Sequence, residues 1–234
     1  VASRGLGDVY KRQLLNSFNK VFIMGIGGSG MSSIAKYLKQ KGYHVEGYDQ
    51  RISYITNILE NDGVRTYQNY EDFIYEKDVL YIISSAVNLN NTFLKNFKKN
   101  KNVISRPNFF RELSNEKDII GITGTHGKTS TTALVSHIFQ FNNKNVSFIY
   151  GGVSSFGYLG GHCGEDNLPL ILETDEAFNT FKNINIKDLI VTNIDNDHLD
   201  FYESYENLID AFSYVIKNVK GVKVLNYDDK NLCL

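Results

Sequence analysis

The chain is poor in the features that staple, anchor or steer a protein. It has two cysteines in 234 residues, Cys163 and Cys233, and they show neither metal nor redox spacing. Such a pair reads as reduced bystanders. No apolar run approaches the roughly 18 residues of a membrane span, and no charged-then-apolar leader resembles a secretory signal. Both absences favour the cytoplasm and argue against membrane insertion. An excess of one charge is missing as well: the formal net charge is -1 and the lysines are scattered, so nucleic acid has no electrostatic footprint to bind. A nucleotide is the better-matched partner. The opening stretch VASRGLGDVYKRQ lacks an initiator Met and has neither helix nor strand period, so residues 1–13 read as a non-native or disordered leader.

What remains is an alternation of short apolar runs with helix-period segments, the pattern of an α/β protein with parallel sheets. KVFIMGI reads as a buried strand. Met31, Ile34, Ala35 and Leu38 then recur at helix spacing up to Gly42, where a C-terminal cap belongs. HVEGYD gives a second strand, followed by a helix around YITNILENDG, strands near Val64–Tyr67 and at VLYIISSAV, a helix near Asn91–Lys99, and NVISR. A second series starts at KDIIGIT and runs through a helix carrying Ala133, Leu134, Ile138 and Phe139. Strands at VSFIY, LPLILET and DLIVTNI follow, then a helix through Leu208, Ile209, Phe212 and Ile216, and a strand VKVLN. The polar LSNEKD at 113–118 marks the boundary. The expected organisation is therefore a Rossmann-like domain over 14–115 and a P-loop-type parallel-sheet domain over 116–234.

Each series carries a glycine turn between a strand and a helix. In the first, Gly25, Gly27 and Gly30 satisfy G-x-G-x-x-G, with Asp49 about 20 residues on. Gly28 and Ser29 open the turn further, because both offer backbone donors at a helix N-terminus without a bulky side chain. The turn alone does not say which nucleotide it takes. The second turn lies in GITGTHGKTSTTALV, residues 121–135. It departs from the strict P-loop, since Ile122 stands where the first glycine should be. Its parts are nonetheless those of a phosphate site: Gly124 and Gly127 turn the chain, Lys128 can reach β and γ oxygens, and Thr129 is a hydroxyl suited to Mg²⁺. Two acidic clusters follow at strand ends, Glu173, Asp175 and Glu176, then Asp195, Asp197, His198 and Asp200. Ligands of open parallel sheets collect at that end, and hard oxygen donors suit Mg²⁺. Solvated capping explains any one of these carboxylates equally well.

The loop GITGTHGKTSTTALV, together with FIMGIGGSGMSSIA and VTNIDNDHLDFY, resembles the Mur ligases, whose ATP loop reads Gly-Thr-x-Gly-Lys-Thr. The likeness runs from about Lys20 to the last residue. It implies an ATP- and Mg²⁺-dependent ligase that joins L-alanine to UDP-N-acetylmuramate through an acyl phosphate, in the making of peptidoglycan precursors. By that resemblance Gly25, Gly27, Gly28, Ser29, Gly30 and Asp49 would bind the UDP-sugar. Gly124, Thr125, His126, Gly127, Lys128, Thr129 and Ser130 would bind ATP. Thr129, Glu173 and His198 would hold metal, and Lys128 and His198 would act in catalysis. One departure stands out: the family run resembling Glu-Ala-Asp-Glu-Ser-Asp is here Glu173, Thr174, Asp175, Glu176, Ala177, Phe178, which retains the metal-ligand Glu and loses the Ser-Asp pair. Complete members carry a third, C-terminal domain, so the resemblance further implies a fragment that is inactive alone. Three alternatives stay open: a murein-peptide recycling ligase of the same family, a nicotinamide dehydrogenase resting on the first glycine turn, and a non-catalytic nucleotide-binding module.

Overall fold

The computed structural model describes residues 14–87, 100–154, 157–196 and 199–232. The leader and the helix expected near Asn91–Lys99 lie outside them. The chain divides into two compact units, one formed by 1–116 with 151–163 and the other by 117–150 with 164–234.

In the first unit, β1 (Lys20–Met24), β2 (His44–Tyr48), β3 (Arg65–Tyr67), β4 (Val79–Ile83) and β5 (Val103–Ser105) form a parallel sheet of order β3-β2-β1-β4-β5. β1 and β4 are central and are apolar at almost every position because both faces of such a sheet are covered. On one side lie α1 (Ser29–Gln40) and α2 (Tyr54–Asn61). The stripe Met31, Ile34, Ala35 and Leu38 is buried as its spacing requires. A reciprocal capping box starts α2: Ser53 Oγ accepts from Thr56 N–H at 3.3 Å while Thr56 Oγ1 accepts from Ser53 N–H at 2.8 Å. The opposite face is aromatic, Phe22, Tyr48 and Tyr81 packing with Phe73. α3 (Arg106–Glu116) follows β5 directly. The polar run expected to be a boundary is thus largely the end of a helix, which Phe109, Phe110 and Leu113 anchor in the core.

The second sheet has the order β11-β10-β6-β9-β7-β8. Its strands are β6 (Ile119–Thr123), β7 (Ser147–Val153), β8 (Leu159–His162), β9 (Leu170–Glu173), β10 (Ile186–Val191) and β11 (Lys223–Leu225). β11, β10, β6, β9 and β7 pair in parallel, and the sheet as a whole is mixed. β8 packs against α1, and residues 151–163 belong with the first unit. In the second unit, α4 (Lys128–Phe141) covers one face through Val135 and Phe139. α5 (Leu199–Tyr202) and α6 (Tyr205–Asn218) attend the other, where Phe212 and Leu208 pack on Leu189 and Val191. The turns after β1 and after β6 both open at the carboxyl ends of their strands, the ligand end of an open parallel sheet.

Candidate functional site

The first glycine turn is built around Asp49. Gly25 N–H and Ile26 N–H donate to the Tyr48 carbonyl at 2.8 and 3.1 Å, tying the turn to the end of β2. Asp49 Oδ2 then accepts from Gly27 N–H at 2.9 Å, and Oδ1 accepts from Arg51 N–H at 3.1 Å. The expected ligand acid therefore first shapes the turn that a ligand would meet. Gly28 is the N-cap of α1, and Ser29 and Gly30 open its first turn, whose N–H groups have no intrahelical acceptor. Beside them stands a cation the sequence reading misses. Arg106, the first residue of α3, brings Nη1 to 2.9 Å from where a Cβ on Gly30 would sit. A guanidinium beside a helix N-terminus suits a pyrophosphate. The signal was available only as an Arg directly following a strand.

The second turn is fastened to the end of β10. Thr125 N–H donates to the Asn193 carbonyl at 3.0 Å, and His126 N–H donates to Asn193 Oδ1 at 2.8 Å. Asn193 Nδ2 and Thr192 Oγ1 both donate to the His126 carbonyl, at 2.9 and 2.7 Å. Asp195 N–H donates to Thr125 Oγ1 at 2.8 Å, and the exposed His126 ring meets Asp195 at 3.4 Å. Gly124 makes this approach possible: it has φ +129°, and a Cβ there would lie 2.1 Å from Thr192 Oγ1. The backbone donors of Thr125 and His126 are thereby spent on the protein. Those left to an anion belong to Gly127, the N-cap of α4, and to its first turn, Lys128 to Ser130, since Thr131 N–H to the Gly127 carbonyl is the first helical bond. The missing first glycine has its reason here as well, because Ile122 is a fully buried core residue of β6.

Lys128 and Thr129, the first two residues of α4, face the end of β9. Thr129 Oγ1 donates to Glu173 Oε1 at 2.9 Å. Among the described residues no group of three or more His, Cys, Asp or Glu could hold a metal. A hydroxyl beside one carboxylate is nonetheless what Mg²⁺ uses when phosphates and waters supply its remaining ligands, so these residues fit a Mg²⁺–nucleotide. Lys128 is less free than the sequence suggests. Its Nζ donates to the Gly124 and Thr125 carbonyls at 2.6 and 3.1 Å and pairs with Glu176 at 3.1 Å. Glu176 is only 1% exposed. Burial pushes its carboxyl up, with the Lys128 charge opposing, and the net shift is upward. Tyr202 OH donates to the Glu176 backbone carbonyl. His198 and Asp197 lie outside the described residues.

A parallel α/β unit with a glycine turn, followed by one with a Gly-Thr-x-Gly-Lys-Thr loop and a strand-end Glu on its Thr, is an arrangement suited to phosphate groups at two helix N-termini. The comparisons agree: residues 20–118 match the Mur ligase family catalytic domain and residues 172–233 the Mur ligase middle domain. The chain belongs to the Mur ligase family. It is 36% identical to a UDP-N-acetylmuramate–L-alanine ligase of Hydrogenobaculum sp. over 91% of its length and 48% of that protein. It is 38% identical to the protein of the same name from Borrelia garinii subsp. bavariensis over 93% and 48%. The crystal structure of the UDP-N-acetylmuramate-alanine ligase of Thermotoga maritima superposes with a TM-score of 0.79 at 29% identity, over 91% of this chain and 50% of that one. The chain spans about half the length of the curated relatives it matches.

Proposed function

We propose that the chain is the nucleotide-handling half of an ATP-dependent ligase that adds L-alanine to UDP-N-acetylmuramate, a step in cytoplasmic peptidoglycan precursor synthesis. The first unit would take the UDP-sugar and the second ATP. What carries the reading is the Thr129–Glu173 pair beside Lys128, in a chain whose curated relatives bear that ligase's name.

The chemistry asks a carboxylate to attack the γ-phosphate, forming an acyl phosphate and releasing ADP; the amine of alanine then displaces phosphate and forms the amide. Both partners of the first step are anions. Lys128 and the first-turn N–H groups of α4 would draw the β and γ oxygens into line, and Thr129 with Glu173 would hold Mg²⁺, whose charge offsets that on the transferred group. In the first unit the N-terminus of α1 and Arg106 would hold the pyrophosphate of the sugar nucleotide. Asp49 would keep Gly27 and Arg51 in place around it.

Thermal melting tests the assignment of the first unit against the dehydrogenase alternative. UDP-N-acetylmuramate should raise the melting temperature, because a ligand bound only by the folded state stabilises it by mass action. NAD should not. Stabilisation by NAD alone would overturn the reading.

A further inference from the structure

Among the described residues, the most deeply buried carboxylate of the second unit's site has no task in the chemistry above. Glu176 sits three residues past the strand-end Glu173, with its side chain 1% exposed, and both of its oxygens lie 3.1 Å from Lys128 Nζ. Among the described residues, the ammonium's other contacts are the Gly124 and Thr125 carbonyls of its own loop. An ammonium has three protons, and carboxylate and carbonyls together engage them all. A phosphate oxygen can bind Lys128 only by taking over one of these places.

We propose that Glu176 is a positioning residue for polyphosphate binding: a built-in counter-ion that holds the Lys128 ammonium against the loop and competes with an incoming phosphate for it. The proposal rests on the reading of residues 124–130 as an ATP site. Relative costs decide which contact yields. Abandoning Glu176 outright would strand a carboxylate shielded from water, whereas a loop carbonyl loses one hydrogen bond. The carbonyl contacts therefore give way and the carboxylate remains. The arriving phosphate then meets an ammonium already placed and desolvated, at the expense of sharing its charge. Glu176 thus favours order in the empty loop and opposes tight retention of polyphosphate, a combination suited to a site that must release its product.

Glu176→Gln keeps the shape of the side chain and removes its charge. If the carboxylate competes with phosphate, removing its charge raises the affinity for polyphosphate, and because burial outweighs the Lys128 charge at this carboxyl the empty protein keeps its stability. A Glu176 that only packs would lower stability and leave affinity unchanged or reduced. Lys128→Ala leaves Glu176 buried without its cation, so adding Glu176→Gln to that variant should restore stability.

Inorganic tripolyphosphate and ATP, each with Mg²⁺, would be titrated calorimetrically into wild type, E176Q and E176D, with melting temperatures recorded for these and for K128A and K128A/E176Q. We expect E176Q to bind tripolyphosphate at least about fivefold more tightly than wild type while melting no lower. E176D, which keeps the charge, should stay near wild type in affinity, and K128A/E176Q should melt above K128A. Equal or weaker binding by E176Q overturns the proposal while wild-type binding leaves the ATP loop standing. Failure of wild type to bind either ligand overturns both. Should E176Q not fold, the two Lys128→Ala melting temperatures decide, and a double variant no more stable than the single contradicts the proposal.

Discussion

Asn193 satisfies both backbone hydrogen-bonding groups of His126, accepting from its N–H at 2.8 Å and donating to its carbonyl at 2.9 Å. One side-chain amide thereby fixes the middle residue of the phosphate loop as a neighbouring strand would. Asn193→Ala removes both bonds from a half-buried loop position, so the fold should survive. The loop should loosen. Two hydrogen bonds of ordinary strength, together about 1–3 kcal/mol, correspond to roughly a tenfold loss of Mg²⁺–ATP affinity. Calorimetry reads the affinity, and faster amide exchange at His126 identifies the cause.

Gly124 should tolerate no side chain. Alanine would be forced to φ +129° with its Cβ 2.1 Å from Thr192 Oγ1 and 2.9 Å from the Asn193 carbonyl oxygen. Strain and overlap together should cost on the order of 3 kcal/mol. The expected result is a lower melting temperature together with weakened ATP binding; a Gly124→Ala protein that melts like wild type would show that the loop is not fastened to β10 in this way.

Arg106→Ala separates the two units functionally. If the guanidinium beside Gly30 grips a pyrophosphate, removing a charge-assisted contact should weaken UDP-N-acetylmuramate about tenfold or more. ATP affinity should not change. Calorimetric titrations with each nucleotide distinguish this from a general loss of folding, which would reduce both.

Acid should act on the first unit at Glu46. Burial pushes this carboxyl up, but hydrogen bonds from His44 and Lys20 and their charges outweigh it and leave it below its ordinary value of 4.5. A carboxyl depressed by folding contributes stability that is present above its unfolded value and is lost as pH falls through the folded one. Glu46→Gln should therefore narrow the stability gap between neutral pH and pH below about 4.5, measured by denaturant unfolding at each pH.

Much of this architecture is legible from period and punctuation. The strands at Lys20–Met24 and Ile119–Thr123 announce themselves because a strand buried on both faces is apolar throughout. Helix faces are harder. Apolar spacing points to Leu134 and Ile138 as the inward face of α4, yet they are 58% and 50% exposed while Thr132 and Ser136 are buried. The hydroxyls can go inward because each donates to the helix backbone, Thr132 to the Lys128 carbonyl and Ser136 to that of Thr132. β8 is hidden for another reason. Leu159-Gly160-Gly161-His162 reads as a loop, but a Cβ on Gly161 would fall 1.9 Å from the Ser33 carbonyl oxygen, so close packing against α1 demands the very residue that masks the strand. At the site, Lys128, Thr129 and Glu173 are named by motif. Glu176 is named only as one of a strand-end acidic cluster, and its pairing with Lys128, the placing of Arg106 beside Gly30 and that of Asn193 against His126 rest on contacts between distant parts of the chain, which no local spacing encodes.

The central claim is that the first turn of α4, and not the glycine turn after β1, receives the phosphates of ATP. Hydrogen exchange with and without Mg²⁺–ATP tests it at single-amide resolution. The account predicts protection at Gly127, Lys128, Thr129 and Ser130, whose N–H groups have no intrahelical acceptor, with little change at residues 25–31. Protection confined to residues 25–31, or none at the start of α4 under saturating nucleotide, would contradict it.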